Sequence, residues 1–274
     1  ARCTDWLEGH NCIQDGCPHQ DDDLICPSGF WGFRYQVEQV PAGIGDDPQP
    51  EAQQIPVLID NCDETRVHLS YYKFKQFPAE QQKFQQWQAE GNILLLESAE
   101  KQSFRQQLTE AVASGTPPHL IYFYAHGGQE AQLGPYVRLG SENEQPNEYL
   151  TLLDLTRAGV RAGAFSSNPL VFINTCDSGA YGPGDYSNIL QRFYRAGACG
   201  LVATECTVYE PIAQAMSGRF FNHFLRGKPA GQALWLASHE LIRQHNPAGL
   251  FYALFALSQT ILRCPVLPQV EVDP

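Results

Sequence analysis

Two short stretches of this chain join a buried-strand pattern to a side chain able to do nucleophilic or acid–base chemistry. The first is His119-Leu-Ile-Tyr-Phe-Tyr-Ala-His126-Gly127-Gly128; the second is Pro169-Leu-Val-Phe-Ile-Asn-Thr-Cys176-Asp177-Ser178-Gly179. In each, an apolar run rich in β-branched and aromatic residues stops at a reactive group and is followed by glycine. A thiol must ionise to attack, and an apolar core would hold it neutral. Cys176, set among Asn174, Thr175, Asp177 and Ser178, reads as a strand-edge nucleophile. His126 is the residue to accept its proton and pass it to a leaving amine. Gly127 and Gly128 would let the backbone approach a substrate carbonyl, so that the Gly127 and Cys176 amides form an oxyanion hole. This is the pattern of a Cys/His hydrolase.

The flanking sequence supplies elements that could bring the two stretches together. From residue 55 onward, strand-like and helix-like segments alternate. Strands are expected at Ile55 to Ile59, Ile93 to Leu96, His119 to Tyr124, Leu170 to Ile173 and Gly200 to Ala203. Helices are expected at Ala79 to Glu90, Ala99 to Ala113, Tyr149 to Arg157, Tyr186 to Arg195, Pro211 to Leu225 and Ala230 to His245. Tyr136 to Leu139 reads as a hairpin arm, and Phe251 to Leu262 fits either a helix or a strand. Strands separated by helices pair in parallel through right-handed crossovers. The carboxyl ends of such strands share one sheet edge, where ligands bind in open α/β folds.

Composition narrows the classes. A net charge of −12 argues against a nucleic-acid partner, because phosphate contacts need a basic face. No apolar stretch nears the roughly 18 residues that span a bilayer, so no membrane partner is expected. Nine cysteines in a long chain with no leading signal pattern read as mostly free thiols of a cytoplasmic protein, although a removed signal peptide would leave no trace. Residues 1–50 form a Cys-rich segment and linker ahead of a catalytic domain at 51–274. Cys3, Cys12, Cys17 and Cys26 are of a type that ligates zinc, but they lack a close Cys-x-x-Cys pair, and ordinary thiols or a disulfide suit them better. Phe30, Trp31 and Phe33 read as a satellite cluster anchoring this segment to the core.

The two reactive stretches together resemble the CHAT domain of the caspase-like, clan CD cysteine peptidases. Carrying the resemblance are His126-Gly127-Gly128 after one buried strand and Asn174-Thr175-Cys176-Asp177-Ser178-Gly179 after the next, fifty residues on. It extends through Cys26 to Phe33, Leu201-Val202-Ala203-Thr204 and Asn246-Pro247. The resemblance implies a three-layer caspase-hemoglobinase-like α/β sandwich with a mostly parallel central sheet flanked by helices. It also implies a His126/Cys176 dyad cleaving peptide bonds in a protein or peptide substrate, with no cofactor. CHAT domains often answer to a regulatory protein partner or an upstream domain, and several serve bacterial defence or regulated cell death. Asp177, Glu205 and Glu210 fall near the expected rim, where acid would select a basic residue before the cut; some relatives carry an acid at the position of Asn174. Two other readings use the same residues. One is a non-catalytic peptide-binding or signalling scaffold, and the other a Cys/His acyltransferase or amidase.

Overall fold

The computed structural model describes residue 26 and residues 29–39, 56–130, 132–142, 148–175 and 186–268. Helix α1 (Trp31–Arg34) and strands β1 (Leu58–Ile59) and β2 (Arg66–Tyr71) come first, then α2 (Phe77–Ala89), β3 (Leu94–Ser98) and α3 (Lys101–Ala113). Strands β4 (Leu120–Glu130), β5 (Gly134–Arg138) and β6 (Tyr149–Thr151) follow, then α4 (Leu152–Arg157), β7 (Leu170–Thr175), α5 (Tyr186–Ala196) and β8 (Gly200–Thr204). The last elements are α6 (Glu210–Phe224), α7 (Ala230–Arg243), a 3-10 turn at Pro247–Phe251, β9 (Tyr252–Ala256) and β10 (Ile261–Leu262).

The central sheet runs β3-β2-β4-β7-β8-β9, parallel throughout except for the antiparallel edge strand β9. Strands buried on both faces need no alternation, and every residue of β7 and β8 is buried. One core packs Phe84 of α2, Phe220, Phe221 and Phe224 of α6 and Leu241 of α7 against Tyr122, Phe172 and Val202. The opposite core packs Phe104 and Leu108 of α3, Leu155 of α4 and Phe193 of α5 against Ile121, Phe123, Val171 and Ile173. The molecule is thus the expected α/β sandwich, helices on both faces of a mostly parallel sheet. At the last pairing, a side chain at Gly200 would run into Ala256 of β9, so only glycine lets these two strands close.

Several expectations are corrected. The central strand β2 went unforeseen. β1 does not start the sheet; it pairs with β10 in a separate two-stranded ribbon. Tyr149–Thr151 is a strand, and the helix begins only after Thr151, whose hydroxyl and backbone N–H complete a capping box with Asp154. The segment from Phe251 resolves into the end of the 3-10 turn followed by two strands. The free-thiol reading fails at one pair, because Cys62 and Cys264 form a disulfide across 202 residues beside that ribbon. Gly29 to Gln39 lie along α7 and β9: Phe33 stacks on His239 at 4.2 Å, whereas Trp31 is 77% exposed. The boundary placed at residue 50 falls outside the described residues.

Candidate functional site

The carboxyl edge of the sheet is where β4 changes partners. As far as Ala125 it pairs in parallel with β7, Ala125 lying opposite Thr175. From His126 onward it pairs antiparallel with β5, and His126 lies opposite Arg138. The strand therefore does not stop at His126, as the sequence pattern suggested, but continues to Glu130 as one leg of a three-stranded arm. His126 sits at the hinge between sheet and arm. Its half-buried imidazole stands edge-on to Tyr72 and to Phe74, each at 4.5 Å between ring centroids. Tyr72 follows β2 and pairs through a bridge with Gly140, which ties the end of β2, and with it the ring against the imidazole, to the strand-end of the arm.

Strand β7 is buried along its whole length. Thr175 is buried, and Cys176 and Asp177 come next, outside the described residues. The two candidate dyad residues thus each follow one member of the register pair Ala125 and Thr175. Beneath that pair, Asn174 is fully enclosed. Its amide donates to the Ala213 carbonyl at 2.8 Å and to the Tyr122 hydroxyl at 3.3 Å, while its carbonyl accepts from the Tyr252 hydroxyl at 2.8 Å. Tyr122 in turn donates to Glu80, which also accepts from Ser217. Burial raises the Glu80 carboxyl above the ordinary carboxylate range, with Lys83 at 3.5 Å opposing the shift. Asn174, considered for the pocket, is here a core bracket that offers no surface to solvent.

Of the acidic rim candidates, Glu205 follows β8, is exposed, and accepts from the Gln39 amide at 2.8 Å. Glu210 opens α6, half-buried, and its carboxylate caps the backbone N–H of Gln76 at the start of α2. Both therefore lie on the carboxyl side of the sheet, past β8. Between them the Cys206 thiol is raised by burial and by Glu205. The Cys199 thiol, fully buried, is pushed well up by burial and is out of reach of solvent.

Gly128 corrects part of the glycine reading. A side chain there would collide with the ring and hydroxyl of Tyr136, its cross-strand partner, so the space that glycine leaves is filled from within the arm. Tyr136 also stacks on Tyr149 at 4.3 Å. Gly127 is buried opposite Val137. Cys26 is half-buried, while Cys3, Cys12 and Cys17 lie outside the described residues. No cluster of three or more metal-ligating side chains occurs among the described residues. No described helix is long and apolar enough to cross a membrane.

Sequence reasoning missed Tyr72, Phe74, Tyr136 and Arg138. Arg138 had a usable signal: Gly134, with φ +69, marks the end of the turn, and counting back from it sets Arg138 opposite His126. Phe74 had none, since it lies in a loop between β2 and α2.

Comparison with known proteins bears on this arrangement. The family model described as CHAT domain matches residues 28–260. A probable protease of Vitiosangium sp. is 31% identical over 257 residues, which is 92% of this chain and 32% of that protein, so the chain spans about a third of its relative's length. Among solved structures, the separase–securin complex of Saccharomyces cerevisiae matches 74% of this chain and 13% of that one at 10% identity and a TM-score of 0.46.

Proposed function

The chain belongs to the CHAT domain family of caspase-like peptidases, and from that premise we propose that it is a cysteine endopeptidase with Cys176 as nucleophile and His126 as general base and acid. The observation that carries the reading is the pairing of Ala125 with Thr175, the residues directly before the imidazole and the thiol. Strand neighbours at one register send their chains on from the same sheet edge, the arrangement that a proton shared between His126 and Cys176 would require.

The steps follow from the chemistry of the two groups. His126 takes the Cys176 proton, the sulfur adds to the peptide carbonyl, and the oxyanion is held by the Gly127 and Cys176 amides. Collapse breaks the C–N bond as the imidazolium protonates the departing amine, leaving a thioacyl-enzyme. Water, deprotonated by His126, then adds to the thioester and expels the thiolate, which recovers its proton. Tyr72 and Phe74 limit the rotation of the imidazole during both transfers. No cofactor enters these steps. Glu205 and Glu210, with Asp177, would favour a basic residue before the cut. We assign the natural role to bacterial defence or regulated cell death in the cytoplasm, under control of a partner or an upstream region.

The test is cleavage of a peptide library by the chain and by Cys176→Ala and His126→Ala. Both variants should keep the thermal melt of the parent. Cys176→Ala should lose all cleavage, and His126→Ala should slow it by about 10²- to 10⁴-fold. Undiminished cleavage by Cys176→Ala would refute the dyad. Absence of both cleavage and labelling by an electrophilic peptide would leave the scaffold reading in its place.

A further inference from the structure

The arm places a cation beside the candidate base. His126, Arg138 and Tyr149 are successive cross-strand partners in β4, β5 and β6. Partners directly opposite in an antiparallel pair project from the same face. Arg138 accordingly reaches the aromatic bed of the imidazole: its guanidinium carbon lies 5.3 Å from the centre of the Tyr72 ring, whose edge meets His126. The side chain is half-exposed and makes no ion pair among the described residues. Of the described acids of the arm, Glu148 accepts from the backbone N–H of Lys101, Glu130 is at the far end of β4, and Glu142 is exposed past the bridge at Gly140. Two further cations, Lys73 and Lys75, are exposed on either side of Phe74, which contacts His126 from the β2 end. In a chain of net charge −12, a cationic group next to the base is an exception to the surrounding field.

We infer that Arg138 is a specificity residue that receives a carboxylate side chain of the peptide substrate on the arm side of His126. The inference rests on the peptidase reading and adds to it a second subsite, of opposite charge to the Glu205 and Glu210 side. A guanidinium held over an aromatic ring keeps its N–H edge for a planar acceptor, and a carboxylate matches that edge with two parallel hydrogen bonds. Lys73 and Lys75 add longer-range attraction that salt weakens.

The experiment compares paired peptides that differ only by Glu or Gln, scanned across the positions around the cleavage site and amidated at the C-terminus so that the side chain is the carboxylate under test. The same peptides with a free C-terminus show whether a terminal carboxylate can substitute. In the parent chain, kcat/KM should favour Glu by about tenfold at one position. Arg138→Gln should bring that ratio to within about twofold of unity, Arg138→Lys should leave it intermediate, and Arg157→Gln, on α4, should preserve it. Binding of the same peptides to Cys176→Ala, measured on an array, supplies a readout independent of turnover. Ratios near unity at every position, or a Glu preference that survives Arg138→Gln in a folded protein, would overturn the inference. Discrimination in binding with no cleavage by any form would sink the peptidase reading and keep this one.

Discussion

Asn174 spends a polar side chain where parallel strands carry aliphatic ones. The reason lies in its partners: it satisfies a helix carbonyl at Ala213 and joins the hydroxyls of Tyr122 and Tyr252, tying β4, β7, β9 and α6 together directly under the strand tip. Removing one member of such a network leaves buried groups without partners, which costs more than the bond itself returned. Asn174→Leu should therefore lower stability by about 3 kcal/mol, and Tyr252→Phe, which deletes a single donor, by about 1 kcal/mol, both read from urea unfolding. Equal stability of Asn174→Leu and parent would show that the bracket carries nothing. Gly128 offers a second test at the same scale. Gly128→Ala drives a methyl group into Tyr136 and should cost about 1–3 kcal/mol. In a Tyr136→Ala background the same change should become nearly neutral, and persistence of the full cost there would place the strain in the backbone instead.

At the level of elements, what could be read in advance followed the burial of each strand. β7 and β8 are buried at every position and show as unbroken apolar runs in the sequence. β2 is just as central, yet it alternates Val67 and Leu69 with His68 and Ser70, and both polar side chains hydrogen-bond to Ser98 of β3, a contact no local pattern announces. The arm was legible as a hairpin, but its continuity with β4 was masked by the two glycines, which look like a strand end and are partly a seat for Tyr136. At the site, His126 could be placed at the edge because the apolar run stops beside it. Arg138 and Phe74 could not, since their relation to His126 is one of register and loop path. The disulfide is the extreme case, joining positions 202 residues apart. A cross-link closing so long a loop restricts the unfolded chain strongly, although Asn61, which exchanges hydrogen bonds with the Cys264 backbone, would hold part of the junction without it. Reduction, or Cys62→Ser with Cys264→Ser, should lower stability by about 2–4 kcal/mol and fray the β1·β10 ribbon first. Hydrogen exchange at Ile261 and Arg263, whose N–H groups donate to Val57 and Ile59, is the measurement, and unchanged protection after reduction would contradict it.

Across the whole molecule, the buried titratable groups set how the fold answers to acid. His68, in β2, is fully buried, and desolvation lowers its pKa to about 4 from 6.5. His119, at the start of β4, is lowered to about 4 by burial and by Arg66, whose backbone N–H donates to its Nδ1. Below pH 6.5 the unfolded chain takes up protons at both histidines while the folded chain does not, so stability falls as pH drops from 6.5 towards 4. Glu80 acts in the opposite sense. Its folded carboxyl holds a proton that the unfolded chain has released above pH 4.5, so its contribution is present at low pH and is lost as pH rises through the folded pKa. The histidines and the carboxyl therefore pull in opposite directions, and each buried histidine taken alone contributes a slope on the order of 1.4 kcal/mol per pH unit below pH 6.5. Substitution separates the contributions. His68→Gln should make the fall in stability below pH 6.5 shallower, whereas Glu80→Gln should make it steeper, both measured by urea unfolding at closely spaced pH values. A parent slope that ignores both changes would mean that surface charges of this acidic chain, rather than its two cores, govern its acid response.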